Sequence, residues 1–506
     1  MKKRMIAALL TGVMMLNLVA CGGGNEEKVQ LNVPDGTPSY EDDRQIEMGS
    51  YSGPRIGGDR ANHRTDGSGG NPNPEGGWEG WITEEAFQDY MDCGFTYLMA
   101  NADGYYDYNV LEKRAVTDFK DSDAYTYMEL AQKMNIPVVV TSNFLKSLTG
   151  SADSRLTEEH KAELKQMVDD LSQYSVFKGF TFKDEPGAHL FKTSGAVKEY
   201  LDSLKPDLFY YTSCFPIYAN LPLLATDNQD DKVKAYKEYV DEYSNEMGTF
   251  AYDHYALKIN PVQGETVLDS TWFQNLLLVA EDAKEKGYAP GVTIQSCSYG
   301  PVGGEFSKVH NRKITDKGDV TFQLYTAMAY GFQKFSYFTY WQFRDLMPTE
   351  EFYGAMIDYP TDGTQNAVKT DAYYAVKEAN GEIKKFDHVY LNYKWEGTMA
   401  LTEQGKKLNT ALSMAGEYQS PRVKEVTATN DTIIGCLKDD EGYDGFMIVN
   451  ATDPGKDEKD SVTITFREAS KAIAYIGGEE ETIELKNGTY TFELGSGEGV
   501  FVIPIK

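Results

Sequence analysis

Two adjacent carboxylates follow an apolar run in the stretch GFTFKDEPGAHLF, residues 179–191. Side chains alternate along a strand, so Glu185 is predicted on the face opposite Asp184 and the phenylalanines. The aromatic rings are expected to pack outward against helices, which directs Glu185 inward. Pro186 disfavours helical geometry at Glu185, and we expect the strand to stay extended up to that residue.

This arrangement suits acid–base chemistry. A carboxyl crowded by a second carboxylate and walled by aromatic rings should have a raised pKa, as a general acid needs. The positive charge of Lys183 would lower that pKa if its side chain lies on the same side as Glu185. The alternative is that Asp184 and Glu185 cap the following helix or pair with arginines.

Polar or aromatic residues recur at the carboxyl ends of the other predicted strands, where a barrel of parallel strands builds its site. Asp253, in FAYDHYAL, is the first candidate for a second carboxylate, and a hydrogen-bonded structural role beside His254 is equally open. The further candidates for substrate contacts are Asn101, Asn143, Asp184, Tyr255, Gln295, Tyr340 and Trp341.

Eight short apolar runs alternate with amphipathic helical patterns between residues 46 and 391. The alternation predicts an α/β fold, a (β/α)8 TIM barrel, with a doubly wound open sheet as the alternative. The predicted strands are 46–51, 95–101, 136–143, 177–185, 208–214, 249–255, 291–298 and 334–341.

The pattern changes near residue 392. Short alternating strands follow, separated by Gly, Asn and Asp, and the Asn-Gly in KNGTYTFEL is a hairpin signal. We therefore predict a barrel domain over 46–391 and a small antiparallel β-sandwich domain over 392–506.

The N-terminus has the features of an export signal. Basic residues precede an apolar run from Met5 to Ala20, and Leu-Val-Ala-Cys at 18–21 resembles the bacterial lipobox, in which the cysteine is lipidated. We expect a signal peptide over 1–20, a lipid on Cys21, a flexible tether over 21–45 and an extracytoplasmic, membrane-anchored protein.

The net charge limits the classes of binding partner, and the cysteine spacing limits the disulfides and metal sites. Asp and Glu number 78 against 49 Lys and Arg, a net charge of −29, which disfavours nucleic acid or an anionic membrane surface and suits a neutral polymer such as a glycan. The cysteines after Cys21 are widely spaced and predict buried free thiols, with a Cys214–Cys297 bridge as a minor alternative. No pattern predicts a metal site or a cofactor.

Two motifs resemble a known family. KDEP at 183–186 resembles the Asn-Glu-Pro that ends strand four in the large retaining clan of (β/α)8 glycoside hydrolases, which includes β-galactosidases and cellulases. TAMAYGFQKFSYFTYW, residues 326–341, is similar to the segment along strand eight of family 42 β-galactosidases and their relatives. The resemblance implies a glycoside hydrolase with Glu185 as the acid, acting on an oligo- or polysaccharide.

One position departs from that clan. Its nucleophile is a Glu at the end of strand seven, where this chain has Gln295, and an amide cannot be that nucleophile. Asp253 is the preferred replacement and Glu305, in the loop after strand seven, the second. Gln295, Asn101 and Asn143 would then bind hydroxyls and Trp341 would stack on a sugar face.

Several aromatic residues fall on strand ends or their loops and could add stacking surface. They are Trp78, Trp81, Tyr105, Tyr106, Tyr218, Tyr255, Tyr299 and Trp341. Two other functions stay open: a non-catalytic glycan-binding lipoprotein, which Gln295 favours, and a solute-binding lipoprotein, which would need two similar α/β lobes.

Overall fold

A computed structural model gives the fold. It describes residues 31, 33–40, 43–54, 82–99, 105–109, 112, 114–224, 230–260, 262–301, 309–342, 350–358 and 368–506. The signal peptide, Cys21, Trp78, Trp81, Asn101 and Glu305 lie outside these ranges.

The first part of the chain alternates strands and helices. In order, its elements are β1 (Glu47–Ser50), α1 (Glu84–Asp92), β2 (Leu98–Met99), β3 (Tyr108–Asn109), β4 (Arg114–Ala115), α2 (Asp123–Met134), β5 (Val138–Val140), α3 (Asn143–Thr149), α4 (Glu158–Leu171), β6 (Phe177–Thr181), α5 (Phe191–Leu204), β7 (Phe209–Tyr211), α6 (Leu221–Leu224), α7 (Lys232–Met247), β8 (Ala251–Asp253), β9 (Leu257–Asn260), β10 (Glu265–Leu268), α8 (Trp272–Lys286), β11 (Gly291–Gln295), β12 (Ser298–Pro301), β13 (His310–Asn311), α9 (Lys317–Met328), β14 (Lys334–Phe338), β15 (Glu350–Tyr353), β16 (Ile357–Asp358), β17 (Val368–Lys369), α10 (Asp371–Ile383) and α11 (Asp387–Tyr390).

The last part of the chain is built of strands. They are β18 (Tyr393–Leu401), β19 (Val423–Thr427), β20 (Thr432–Asp439), β21 (Asp444–Asn450), β22 (Asp460–Phe466), β23 (Lys471–Ile476), β24 (Glu479–Glu484), β25 (Thr489–Leu494) and β26 (Gly499–Ile505).

All eight strands predicted before residue 391 are present and parallel, each shorter than predicted. They form two four-stranded sheets, β1-β14-β11-β8 and β2-β5-β6-β7. Backbone hydrogen bonds link the two sheets at both edges: the Thr96 N–H donates to the Met48 carbonyl at 2.8 Å, and the Cys214 N–H donates to the Ala251 carbonyl at 2.9 Å. The prediction of an α/β fold with a parallel sheet is confirmed.

The helices begin where capping residues allow. Thr83, Ser122, Thr157 and Asp231 each accept a hydrogen bond from a first-turn N–H of the next helix. These helices bury one face against the strands, as α7 does with Tyr236, Tyr239 and other residues. The capped, periodic segments therefore form the helices that the sequence predicts.

A five-stranded antiparallel sheet, with the order β10-β9-β13-β12-β15, was not predicted. Its strands come from the segments after β8, β11 and β14, and so from the carboxyl ends of one parallel sheet. The sequence predicts only a loop after β11. The strands found there are two to four residues long, which is too short to produce a detectable pattern. This added sheet forms a wall on the side where the candidate site lies.

The strands after residue 392 form a six-stranded sheet, β18-β20-β21-β26-β23-β24, and a three-stranded sheet, β19-β22-β25. Every pairing in them is antiparallel, as predicted. Ile434 and Phe446 of the larger sheet share a core with Val462 and Phe492 of the smaller one. Alternate burial along β22 produces this shared core.

The described second half of the predicted tether is packed rather than free. The Tyr40 hydroxyl donates to Asp439 Oδ2 at 2.5 Å, and its ring meets Tyr393 edge-to-face at 5.8 Å. Val33 is also buried, and Val33–Lys506 form one compact unit. The tether prediction is therefore corrected over 33–40, because Val33 is buried and Tyr40 contacts Asp439 and Tyr393. Among the described helices, none combines the length and the apolar character that crossing a membrane requires.

Candidate active site

The turn after β6 places the two carboxylates. β6 ends at Thr181. The Glu185 N–H then donates to the carbonyl of Ser213, which follows the neighbouring strand β7, at 2.8 Å. Glu185 has φ +46°, in the left-handed region that non-glycine residues seldom adopt. The prediction of an extended strand up to Glu185 was therefore wrong, since the chain leaves the ladder after Thr181 and turns. Such strain persists where surrounding contacts hold it, and it concentrates at functional sites.

Contacts on both sides hold this turn in place. Phe182 packs edge-to-face on Tyr210 at 5.3 Å, and the Tyr239 hydroxyl donates to the Pro186 carbonyl at 2.7 Å. The phenylalanines do pack outward, as the alternation predicts.

Asp184 does not lie on the side opposite the site. The Tyr51 hydroxyl donates to its Oδ1 at 2.7 Å. Tyr51 comes directly after β1, with Tyr211 at 6.5 Å and Phe338 at 5.8 Å. The predicted alternation fails here because the strand has already ended. Burial raises the pKa of Asp184, while the Tyr51 hydrogen bond and the charges of two lysines, Lys146 and Lys183, lower it.

Solvent reaches the Glu185 side chain, although many protein atoms lie around it. Its side chain is exposed, yet burial among neighbouring atoms is the largest cause that raises its pKa to about 7. The negative charge of Asp184 adds to the rise, and the positive charge of Lys183 opposes it. Glu185 can therefore hold or release a proton near neutral pH, which a general acid requires.

Asp253 ends β8 and faces the same pair of carboxylates. Burial, followed by the charges of Glu185 and Asp184, raises its pKa well above the usual range, and a hydrogen bond from Tyr255 lowers it. Its Oδ1 is buried and has no hydrogen-bond partner in the described part of the chain. His254 does not pair with Asp253: its Nδ1 lies 3.2 Å from Asn275 Oδ1 and its Nε2 lies 3.3 Å from Asp269 Oδ1.

Glu185 and Asp253 therefore form an interacting pair from two strand ends. The negative charge of Glu185 raises the pKa of Asp253, so ionisation of one carboxyl disfavours ionisation of the other. A site with one protonated and one ionised carboxyl can donate a proton on one side of a bond and stabilise positive charge or activate water on the other.

Gln295 has a structural role instead of the predicted substrate contact. It is fully buried, and its Nε2 donates to the Arg312 carbonyl at 2.6 Å while its Oε1 accepts from the Leu257 N–H at 3.3 Å. Both ends of the amide are bonded to backbone, so the prediction that Gln295 binds a substrate hydroxyl is corrected.

Tyr340 and Trp341 are each only 2% exposed. Tyr340 packs against Tyr90 at 4.9 Å, and Trp341 pairs through its backbone with Ile357. Neither presents an open ring face to solvent, which argues against the stacking role predicted for Trp341 and the substrate contact predicted for Tyr340. Both lie beyond the end of β14, where the chain turns into the interior.

Asn143 and Tyr255 differ in their proximity to the carboxylates. Asn143 is exposed at the start of α3, and its N–H donates to Asp107 Oδ1 at 2.8 Å. Tyr255 is half-buried beside Asp253, and its ring lies 5.8 Å from Phe338. Only Tyr255 of this pair has a contact to the carboxylates in the described structure.

Two residues of this site, Tyr51 and Lys258, were not assigned a role from the sequence, and a third, Tyr218, was named only among several aromatics that could add stacking surface. Tyr51 holds Asp184, Tyr218 is an exposed ring beside Asp253, and Lys258 is a half-buried cation on β9. Tyr51 ends the first predicted strand, and that position is the signal that could have identified it. Lys258 had no such signal, because β9 was not predicted.

The cysteine prediction is confirmed, since Cys93, Cys214, Cys297 and Cys436 are free and buried. Within the described ranges, no group of three or more His, Cys, Asp or Glu side chains is placed to hold a metal ion.

Comparisons with known proteins find only distant likeness. No protein-family model matches the chain, and no curated protein matches its sequence. Similar solved structures include an α-amylase from Anoxybacillus, with 12% identity, a TM-score of 0.44, and coverage of 91% of this chain and 98% of that chain. A family 5 glycoside hydrolase from Bacteroides vulgatus has 11% identity, a TM-score of 0.45, and coverage of 83% and 85%. A family 51 α-L-arabinofuranosidase from Bifidobacterium longum has 10% identity, a TM-score of 0.42, and coverage of 92% and 97%.

Proposed function

We propose that this protein is a glycoside hydrolase that cleaves a glycosidic bond in a neutral glycan, on a closed (β/α)8 barrel followed by a β-sandwich domain. Glu185 is the general acid and Asp253 is the base or nucleophile. The observation that carries the proposal is the interacting pair of carboxyls, which come from two strand ends and both have raised pKa values.

The two roles are assigned from the surroundings of each group. Glu185 is reached by solvent, so it can donate its proton to the leaving oxygen and be reprotonated from water. Asp253 is half-buried and acts in its ionised form. Glu185 transfers its proton to the leaving oxygen, and ionised Asp253 stabilises the positive charge that develops at the sugar's anomeric carbon or activates water.

A second function is supported by one observation. Gln295 stands where the resembling clan has its nucleophile, and its amide is bonded to backbone. A glycan-binding protein without catalysis needs the aromatic and polar surface but not two titrating carboxyls.

The test is release of reducing sugar from a panel of neutral polysaccharides and aryl glycosides. We expect wild type to act on at least one, with the rate falling as pH rises above about 7. Glu185→Gln and Asp253→Asn should each lower the rate by about 10²–10⁴-fold. Glu163→Gln, on the exposed side of α4, is the matched control and should leave the rate unchanged.

Two outcomes would overturn the catalytic assignment. One is a rate in Glu185→Gln equal to wild type. The other is glycan binding by wild type with no release from any substrate in the panel, which would favour the binding function.

We also propose that the protein is a bacterial lipoprotein, anchored at the outer side of a membrane through Cys21. The Leu-Val-Ala-Cys sequence after a basic and apolar leader supports this. Cys21→Ala should move the protein from the membrane fraction to the soluble fraction, and mass spectrometry of wild type should show a diacylglyceryl adduct on Cys21. An unmodified Cys21 in wild type would exclude the anchor.

A further inference from the structure

We propose that Tyr218, Lys258 and Asp269 form a binding subsite for one neutral pyranose unit beside the Asp253 carboxyl. The subsite deepens the proposed function by naming the unit it receives, and it rests on that function for its place in the reaction. Binding itself does not depend on catalysis, so the two can fail separately.

Tyr218 is an exposed ring in a rigid setting. It lies between β7 and α6 and is 45% exposed. His254 packs edge-to-face against it at 5.1 Å, and His254 is itself buried and held by Asn275 and Asp269. A fixed aromatic surface of this kind binds the apolar C–H face of a sugar at little entropic cost.

Lys258 and Asp269 supply polar groups next to that ring. Their side chains are 16% and 19% exposed, and Lys258 Nζ lies 6.0 Å from the centre of the Tyr218 ring. Lys258 Nζ donates to Asn311 Oδ1 at 2.6 Å. Asp269 Oδ1 accepts from the Thr271 N–H at 2.9 Å and the Thr271 hydroxyl at 2.6 Å. These bonds hold both side chains in position.

The gap between the two charges fits a hydroxyl. Lys258 Nζ and Asp269 Oδ2 are 3.9 Å apart, which is too far for a direct hydrogen bond. A hydroxyl oxygen about 2.8 Å from each atom can accept from the ammonium and donate to the carboxylate at once. Lys has three donors, so binding Asn311 leaves it capacity for a ligand.

The charges select a neutral ligand. Lys258 and Asp269 carry opposite charges, and the negative charges of Asp253 and Glu185 also act on Tyr218. An acidic sugar would meet this negative field, whereas a neutral pyranose satisfies both the ring and the ion pair.

Tyr218 lies beside Asp253 in the fold, because its ring packs at 5.1 Å against His254, the next residue along the chain. Burial, and then the charges of Asp253, Asp269 and Glu185, raise the pKa of its hydroxyl well above the usual value. A sugar stacked on Tyr218 therefore lies next to the carboxyl pair.

The test measures binding in the Glu185→Gln variant, so that no ligand is consumed. Saturation-transfer-difference NMR would be recorded with methyl glycosides of glucose, galactose, mannose and xylose, and with methyl glucuronide as the acidic comparison. We expect at least one neutral glycoside to bind, no binding of the glucuronide, and about tenfold weaker binding after Tyr218→Ala.

Tyr374→Ala is the matched control, because Tyr374 is the more exposed tyrosine at 58% and lies on α10, against Tyr373. It should leave binding unchanged. Tyr218→Phe keeps the ring and should keep binding, which separates loss of stacking from misfolding. Lys258→Met should also weaken binding.

The outcomes separate this inference from the proposed function. Unchanged binding after Tyr218→Ala, or stronger binding of glucuronide than of every neutral glycoside, would overturn the subsite. Binding that depends on Tyr218 in a protein with no hydrolysis on any substrate would support the subsite and overturn the catalytic proposal.

Discussion

The two parallel sheets are alike in strand number and differ in the segments attached to the carboxyl ends of their strands. In β2-β5-β6-β7, a tight turn directly after β6 carries Asp184 and Glu185. In β1-β14-β11-β8, the segments after β8, β11 and β14 pair with one another as a five-stranded antiparallel sheet. The first sheet therefore supplies its carboxylates locally, and the second builds a surface from segments far apart in the chain.

This difference accounts for the contacts of Gln295. Its amide bonds the Leu257 N–H at the start of β9 and the Arg312 carbonyl just after β13, so it fastens two strands of the added sheet to β11. A carboxylate there could accept from Leu257 but could not donate to Arg312. Gln295 thus anchors the added sheet to β11.

The largest expected effect on stability comes from replacing Arg312, whose carbonyl accepts the hydrogen bond from Gln295. Arg312 is buried, with Nη1 2.8 Å from Asp319 Oδ2 and Nη2 3.7 Å from Asp453 Oδ1. Arg312→Met would leave buried carboxylates without their cation, and we expect the free energy of unfolding in urea to fall by about 3–5 kcal/mol.

The matched control is Arg155→Met. Arg155 pairs with Asp153 at 2.7 Å, but the two side chains are 87% and 55% exposed. An exposed pair contributes about 0–1 kcal/mol. Equal losses in the two variants would show that the buried network does not hold the added sheet.

Gln295→Glu is expected to have the next largest effect. The new carboxylate would face the Arg312 carbonyl in a fully buried place, and we expect a loss of about 2–3 kcal/mol with no gain in hydrolysis. Gln173→Glu loses a similar bond, to the Asp170 carbonyl at 2.6 Å, on the exposed surface and should be nearly neutral. A more active Gln295→Glu would instead mean that this position can still serve as the nucleophile.

Tyr51→Phe tests how the carboxylates that follow β6 are held, because the Tyr51 hydroxyl donates to Asp184. Without the Tyr51 hydroxyl, the pKa of Asp184 rises further, Asp184 carries less charge, and the pKa of Glu185 falls. The alkaline limb of the kcat/KM profile should therefore move to lower pH by about half a unit.

Titration of the Glu185 carboxyl by carbon NMR gives a second readout for Tyr51→Phe that needs no activity. Tyr106→Phe is the control, since the Tyr106 hydroxyl donates to Asp170 Oδ2 at 2.6 Å away from the site. A pH profile that moves equally in both variants would remove the role assigned to Tyr51.

The smallest expected effect is on stability and concerns Glu185 itself. Its pKa rises from the usual 4.5 to about 7 on folding, so the stability that the protonated carboxyl contributes below pH 4.5 is lost as pH rises from 4.5 through 7. Glu185→Gln should be more stable than wild type at pH 8 by up to about 1 kcal/mol, a modest value because solvent reaches the carboxyl. Thermal unfolding at the two pH values measures it, and a difference that is the same at both would argue against the raised pKa.

Much of the fold could be predicted because its signals are local. The eight strands are continuous apolar runs, and helices such as α7 have both an amphipathic period and a capping Asp231. The added sheet could not be predicted, because strands as short as His310–Asn311 have no period to detect. The packing of the second half of the tether depends on Tyr40 and Val33, residues too few to form a pattern.

The sequence by itself determined that Asp184 and Glu185 follow a buried strand and that a β-rich region ends the chain. Only the tertiary structure decided that Glu185 turns at positive φ, that Tyr51 holds Asp184, and that Gln295 binds backbone. The physical reason is that desolvation, charge coupling and hydrogen-bond satisfaction depend on neighbours tens to hundreds of residues away. A local pattern indicates which face a residue prefers, whereas the side chains that it meets on that face come from distant parts of the chain.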